Sequence, residues 1–314
     1  MGAVMRAGLL TVTALMALGG APLRAAGEGV RVVILDAPGS VLLSTPAPVL
    51  YAIENRGSTS VLLPVNDTTH GVDVRSDGTD FVQHRNAGCP QGDAVRLLLP
   101  GERLLAYEDV GDSLGHEGPV EVRATLRGSG TCFLAPEEGH RLGALQLGPK
   151  QLFWAPFVCW EGEVISEPRT IIVTRASATV DIAALEYIRG RMGGLPLPMK
   201  LRLMREVRSE FPTSAYAFAA ALWGGQPKDL EEVITLQPSH PLVGYARTLR
   251  AERQLYEQRR CGGSPPDAAN RVDLRTLDVT PAAREYLQAE ATKWNQECPP
   301  STTPIGDDNA DESR

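Results

Sequence analysis

Gly111-Asp112-Ser113-Leu114-Gly115 has the Gly-x-Ser-x-Gly spacing of a nucleophile elbow, a strained turn that lifts a serine hydroxyl beside oxyanion-hole amides. That chemistry needs a strand before the serine and a helix after it. Residues 103–108 predict the strand, but His116-Glu-Gly-Pro-Val-Glu-Val-Arg reads as another strand. The spacing therefore predicts a hairpin loop built from turn-forming Gly and Asp. Histidines offer a second chemistry. His70, His84, His116 and His140 lie in the first half of the chain, with Asp67 and Glu117 nearby. No two stand at i,i+2 or i,i+4, so ligand spacing for a metal is missing, and neither metal nor cofactor is expected. They read as solvated or locally bonded loop residues, and His240 as a residue of a helix cap.

Phe153, Trp154, Phe157 and Trp160 gather aromatics in a chain that has few. Such a cluster fills a core or offers a platform for a glycan or a peptide. As a surface, it is the expected binding region of the first half.

The elements that must position these residues change character along the chain. Residues 1–25 carry one early positive charge at Arg6, an apolar run from Ala7 to Leu18, and a small-residue exit ending at Ala25. That pattern predicts a cleaved signal peptide, too short to span a bilayer. It places the mature protein in the periplasm or outside the cell, soluble, with no membrane span. The net charge of −7 argues against nucleic acid. About 290 residues remain, room for two domains.

From 26 to 175, short Val-, Leu- and Ile-rich runs separated by Gly, Pro, Asn and Asp predict an antiparallel β-sandwich. Val49, Tyr51 and Ile53 alternate as a half-buried strand should. Residues 152–160 and 163–165 read as two separate strands. An insertion is expected at about 128–157. From 176 to 298 the period becomes helical: Ile182, Leu185 and Ile188, then Leu201, Met204, Val207 and Phe211. Thr213 or Ser214 caps a helix that ends before Gly224-Gly225, Pro241 opens a longer one, and Thr280-Pro281 opens the last. Residues 299–314 are Pro-, Ser-, Thr- and Asp-rich, and read as a disordered tail. The fold class is thus α+β in two parts.

Five cysteines in an oxidising space pair and leave one over. Cys132 and Cys159 flank the insertion on neighbouring antiparallel strands, so they are expected to bridge. Cys261 and Cys298 end two helices whose connection is long enough to bring them together. Each bridge would contribute about 3–4 kcal/mol. Cys89 is left as the free thiol. Asn66-Asp67-Thr68 matches a glycosylation sequon, read as incidental.

Three stretches carry resemblances. Tyr51-Ala-Ile-Glu-Asn-Arg-Gly, Leu99-Pro-Gly-Glu and Trp160-Glu-Gly-Glu-Val-Ile-Ser-Glu-Pro resemble strands and turns of bacterial immunoglobulin-like and fibronectin-III-like modules, including the domain of the intracellular proteinase-inhibitor family. No reactive loop of an inhibitor can be matched. Phe211-Pro-Thr-Ser-Ala-Tyr-Ala-Phe-Ala, with a shorter echo at Pro238-Ser-His-Pro-Leu-Val-Gly-Tyr-Ala, resembles tetratricopeptide-like helical hairpins. Gly111–Gly115 resembles the opening block of the GDSL hydrolases. That family implies an Asp-x-x-His near the C-terminus, whereas Asp67–His70 lies upstream of Ser113. The chain is expected to be a non-enzymatic envelope protein that binds a protein or a surface polymer. The alternatives are an exported hydrolase using Ser113 or loop histidines with a metal, and a proteinase inhibitor.

Overall fold

A computed structural model describes residues 29–65, 69–76, 79–83, 94–132, 157–224, 226–258 and 272–297. Strands come first: β1 (Val30–Asp36), β2 (Ser40–Leu42), β3 (Pro48–Asn55), β4 (Val61–Val65), β5 (His70–Ser76), β6 (Val82–Gln83), β7 (Ala94–Leu98), β8 (Arg103–Asp109), β9 (Gly118–Cys132), β10 (Phe157–Ile165) and β11 (Arg169–Thr174). Helices follow: α1 (Thr179–Met192), α2 (Leu197–Glu210), α3 (Ala215–Gly224), α4 (Pro227–Leu236), α5 (Val243–Gln258) and α6 (Pro281–Glu297). The chain is therefore an N-terminal β region followed by a helical region.

One sheet has the order β1-β3-β8, a second β2-β11-β9-β5-β6 with β10 also paired to β9, and β4 and β7 form a separate antiparallel pair. This is the strand order of an immunoglobulin-like sandwich. β2 joins β11 in parallel, a three-residue strand too short for any alternation in the sequence to reveal. The sandwich interior is apolar: Val49, Tyr51 and Ile53 of one sheet meet Val72, Val122, Ala124, Leu126, Ile171 and Val173 of the other. Asn55 fixes the exit of β3. Its Nδ2 donates to the Thr59 and Leu98 carbonyls at 2.8 and 2.9 Å, and its Oδ1 accepts the Gly57 N–H at 3.0 Å.

β3 departs from the half-buried reading. Leu50 and Ala52, on the face opposite Tyr51, are 0 % exposed. The cause is tertiary: Ala251 of α5 and Tyr286 and Leu287 of α6 pack on Leu50, Ala52 and Leu105. The sheet is thus covered on both faces, and its outer face is a second core shared with the helices. Each fully buried leucine there contributes about 1.5–3 kcal/mol.

Residues 157–165 form one strand, not two. The ladder to β9 absorbs an irregularity between Val158 and Glu161, and Gly162 takes φ +139°, a conformation open mainly to glycine. Trp160 lies across Gly162 and Gly128, whose missing side chains make room for the indole.

Each helix packs on its neighbour in the chain. α3 is buried from Tyr216 to Leu222 because α1 and α2 cover one side, and α4 and α5 the other. Ser214 is its cap: Oγ accepts the Ala217 N–H at 3.0 Å. Thr280 Oγ1 does the same for Ala283 at 3.2 Å. α5 is regular from Val243, two residues after Pro241, and His240 just before it acts on the entry turn, its Nδ1 accepting the Leu242 N–H at 3.2 Å. Among the described residues, no helix is long and apolar enough to cross a membrane.

Candidate functional site

A β-bulge on β1 starts the site. Ile34 faces Tyr51, yet Asp36, two residues on, faces Leu50, so one residue is extra. Bulges re-aim side chains. Here Leu35 packs into the outer-face core while Asp36 comes onto the row of Leu50 and, across β3, Tyr107. Tyr107 meets Tyr245 of α5 at 5.2 Å between ring centroids, and Tyr286 of α6 edge-on at 5.0 Å. Tyr286 donates to Glu252 Oε1 at 2.8 Å. Arg103 of β8 pairs with Glu285 of α6 at the far end of the same seam.

Between these elements lies a cleft of about 280 Å³. Asp36, Pro38, Pro48 and Tyr107 line its sandwich side, and Pro241, Tyr245, Thr248 and Thr280 its helical side. Gly39 and Gly244 also border it, and a Cβ at either would meet nothing within 4 Å. The volume sits at the small end of ligand pockets, the size of one side chain or one ring.

Electrostatics define what the cleft can do. Burial, reinforced by the Asp36 carboxylate, holds the Tyr107 phenol well above its ordinary range. Tyr245 is raised by burial and then by Asp109 and Glu252, and Tyr286 by burial and Glu252. Glu252 is itself raised, chiefly by burial, with its Tyr286 hydrogen bond opposing. The phenols are therefore neutral at any ordinary pH and serve as hydrogen-bonding groups and ring faces, not as bases or nucleophiles.

The residues singled out by sequence fall elsewhere. Ser113 ends a short 3-10 turn, Gly111–Ser113, which leads to Leu114 and then to β9. The helix that an elbow places after its serine is missing. Gly111 is wedged where a Cβ would lie 2.3 Å from the Thr45 carbonyl, so this loop is packed against the sandwich. His70 Nδ1 is hydrogen-bonded to the Tyr51 hydroxyl at 2.7 Å. His240 stacks on Phe218 at 3.9 Å, in α3, and burial lowers its pKa to about 4. His116 is exposed in the loop after Ser113. Among the described residues, no group of three His, Cys, Asp or Glu is placed to hold a metal.

Trp160 is not part of an exposed platform. It is 6 % exposed and belongs to the sandwich core, because the two glycines beneath it draw the ring inward. Phe153 and Trp154 lie outside the described residues, as do the side chain of Phe157, His84, His140, Asp67, the sequon, Cys89, Cys261, Cys298, residues 1–25 and residues 299–314. Cys159 is buried and disulfide-bonded, and the side chain of Cys132 lies outside those described.

A second polar cluster is closed on itself. Asp73, 1 % exposed, accepts from Arg123 at 3.1 Å and Arg127 at 2.9 Å, and Arg123 and Arg75 lie over the Phe81 ring at 3.9 and 4.4 Å. Its guanidiniums are committed to partners. The seam residues were invisible to motif reading: Asp36, Tyr107, Tyr245 and Tyr286 are scattered over the length of the chain, and only the fold collects them.

No family model matches the chain, and no curated protein matches it. Among solved structures, it is similar to the CARDB domain of the PF1109 protein from Pyrococcus furiosus, in complex with di-metal ions. That alignment covers 48 % of this chain and 94 % of that one, at 12 % identity and a TM-score of 0.23. It is also similar to a β-glucosidase from Listeria innocua in complex with glucose. There it covers 30 % of this chain and 14 % of that one, at 14 % identity and a TM-score of 0.20.

Proposed function

We propose that this is a non-enzymatic binding protein of the bacterial envelope, exported by residues 1–25, that engages a protein or a surface polymer through the seam cleft. One observation carries the reading: the cleft is walled by both parts of the chain, with neutral phenols and two glycines that leave its interior open. Shared walls give such a site a defined shape, as pockets between packed units commonly have. The helices, each packed on the next, suit the tetratricopeptide-like reading, in which stacked helices present a binding surface.

Gly244→Trp is the test. Gly244 lines the cleft and a Cβ there meets nothing within 4 Å, so a bulky side chain starting at this position is the substitution that would obstruct it. Immobilised wild-type protein is expected to retain a component of envelope extract that the variant, folded to the same melting temperature, does not. Equal retention by both would reject the cleft as the binding site.

A further inference from the structure

We infer that the seam cleft receives a cationic side chain, the ammonium of a lysine or the guanidinium of an arginine, presented by a partner protein. This rests on the cleft being the binding site, and names what enters it.

The argument begins with Asp36. The β1 bulge turns it into the cleft on the row of Leu50 and Tyr107, and its carboxylate makes no ion pair or hydrogen bond among the described residues. A bulge costs ladder pairing, and here it delivers a lone carboxylate to the mouth of a cavity. Rings come next. Tyr107 and Tyr245 both line the cleft, and an aromatic face attracts a cation, more strongly where water is excluded.

The charges around the cleft agree in sign. On the sandwich side stand Asp36 and Asp109. On the helical side Glu252 lies close behind Tyr245 and Tyr286. Glu290 of α6 adds a further carboxylate near Tyr286. The cations nearby are engaged. Arg247 is paired with Asp278, Arg284 donates to the Leu277 carbonyl at 2.9 Å, and Arg253 donates to the Leu222 carbonyl at 3.3 Å while partly offsetting Glu252. The site is electronegative, aromatic at its walls, and bordered by Pro38, Pro48 and Pro241, which bring no N–H donor to compete with a cation. An anion would meet Asp36 with no opposing positive charge on the lining. A neutral apolar group would leave that carboxylate desolvated and unpaired, at a cost. A long flexible side chain carrying one positive charge satisfies both the size and the sign.

The experiment is a titration of the whole protein, followed by calorimetry or amide chemical shifts, with three capped amino acids: Nα-acetyl-lysine amide, Nα-acetyl-arginine amide and Nα-acetyl-norleucine amide. The last keeps the aliphatic chain without the charge. Either cationic probe is expected to bind at least about tenfold more tightly than the norleucine probe, about 1.4 kcal/mol. Asp36→Asn, which keeps the shape, is expected to abolish that preference, and Gly244→Trp to abolish binding of all three. Equal affinity of norleucine and lysine probes overturns the cationic reading and leaves the cleft as a binding site. So does envelope capture that is lost in Gly244→Trp but unchanged in Asp36→Asn. If no probe binds the wild type, the inference fails.

Discussion

Ser166 engages both backbone groups of Ala124. Its N–H donates to the Ala124 carbonyl at 2.9 Å, and its Oγ accepts the Ala124 N–H, also at 2.9 Å. Here the last strand is interrupted: β10 ends at Ile165 and β11 resumes at Arg169, both against β9. The hydroxyl stands in for a ladder carbonyl. Ser166→Ala leaves the Ala124 N–H buried without a partner, which costs about 1–3 kcal/mol. Urea unfolding should show this as a lower midpoint with an unchanged slope, whereas an unchanged midpoint would mean that water replaces the hydroxyl.

Asp73 anchors two arginines while almost wholly buried. Asp73→Ala removes the carboxylate and leaves two partly buried guanidiniums facing each other, a loss of about 3–5 kcal/mol. Arg123→Met in the Asp73→Ala background should recover part of it, because a charge is then removed along with its partner. Denaturant unfolding of both variants tests this, and a near-silent Asp73→Ala would contradict the network.

His240 sets an acid limit. Its folded pKa of about 4 lies below its ordinary 6.5 because burial against Phe218 disfavours the charged ring. The unfolded chain thus binds the proton more tightly. The stabilisation is complete above pH 6.5, declines as pH falls toward about 4, and is level below that. Comparing urea midpoints of wild type and His240→Gln across pH 4–7 should give a flatter profile for the variant. Parallel profiles would show that the slope arises elsewhere.

We propose that Cys159 is joined to Cys132. Cys132 faces Phe157 across the β9–β10 ladder, and Cys159 stands two residues further along β10, in the irregular stretch between Val158 and Glu161. Both cysteines thus lie at the same end of the ladder. Non-reducing peptide mapping should recover a 132–159 linkage, with one free thiol after denaturation. Cys159 found on Cys89, or three free thiols, would refute the pairing.

Helix starts were the most legible part of the sequence, because Ser214 and Thr280 each act on the amide three residues on, and local chemistry is written locally. β3 was read correctly as a strand but only half correctly as to burial. Its alternation is faint because Leu50 and Ala52 answer to helices some two hundred residues downstream. The glycine in Trp160-Glu-Gly162 looked like a strand break, yet it serves the packing of an indole. The cleft had no signature at all. Its aspartate depends on a bulge, and its two tyrosines come from one strand and one helix far apart in the chain, so neither spacing nor period could announce it.

The doubly covered sheet also dictates an order of events. Leu50, Ala52 and Leu105 are made early in synthesis, but Tyr286 and Leu287, which close over them, emerge far later. A chain threaded out N-terminus first must carry a finished sandwich with one oily flank open until its end arrives. Contacts so distant in sequence form slowly, and an exposed flank of this kind invites association with other chains. Truncation anywhere before α6 would make that interval permanent.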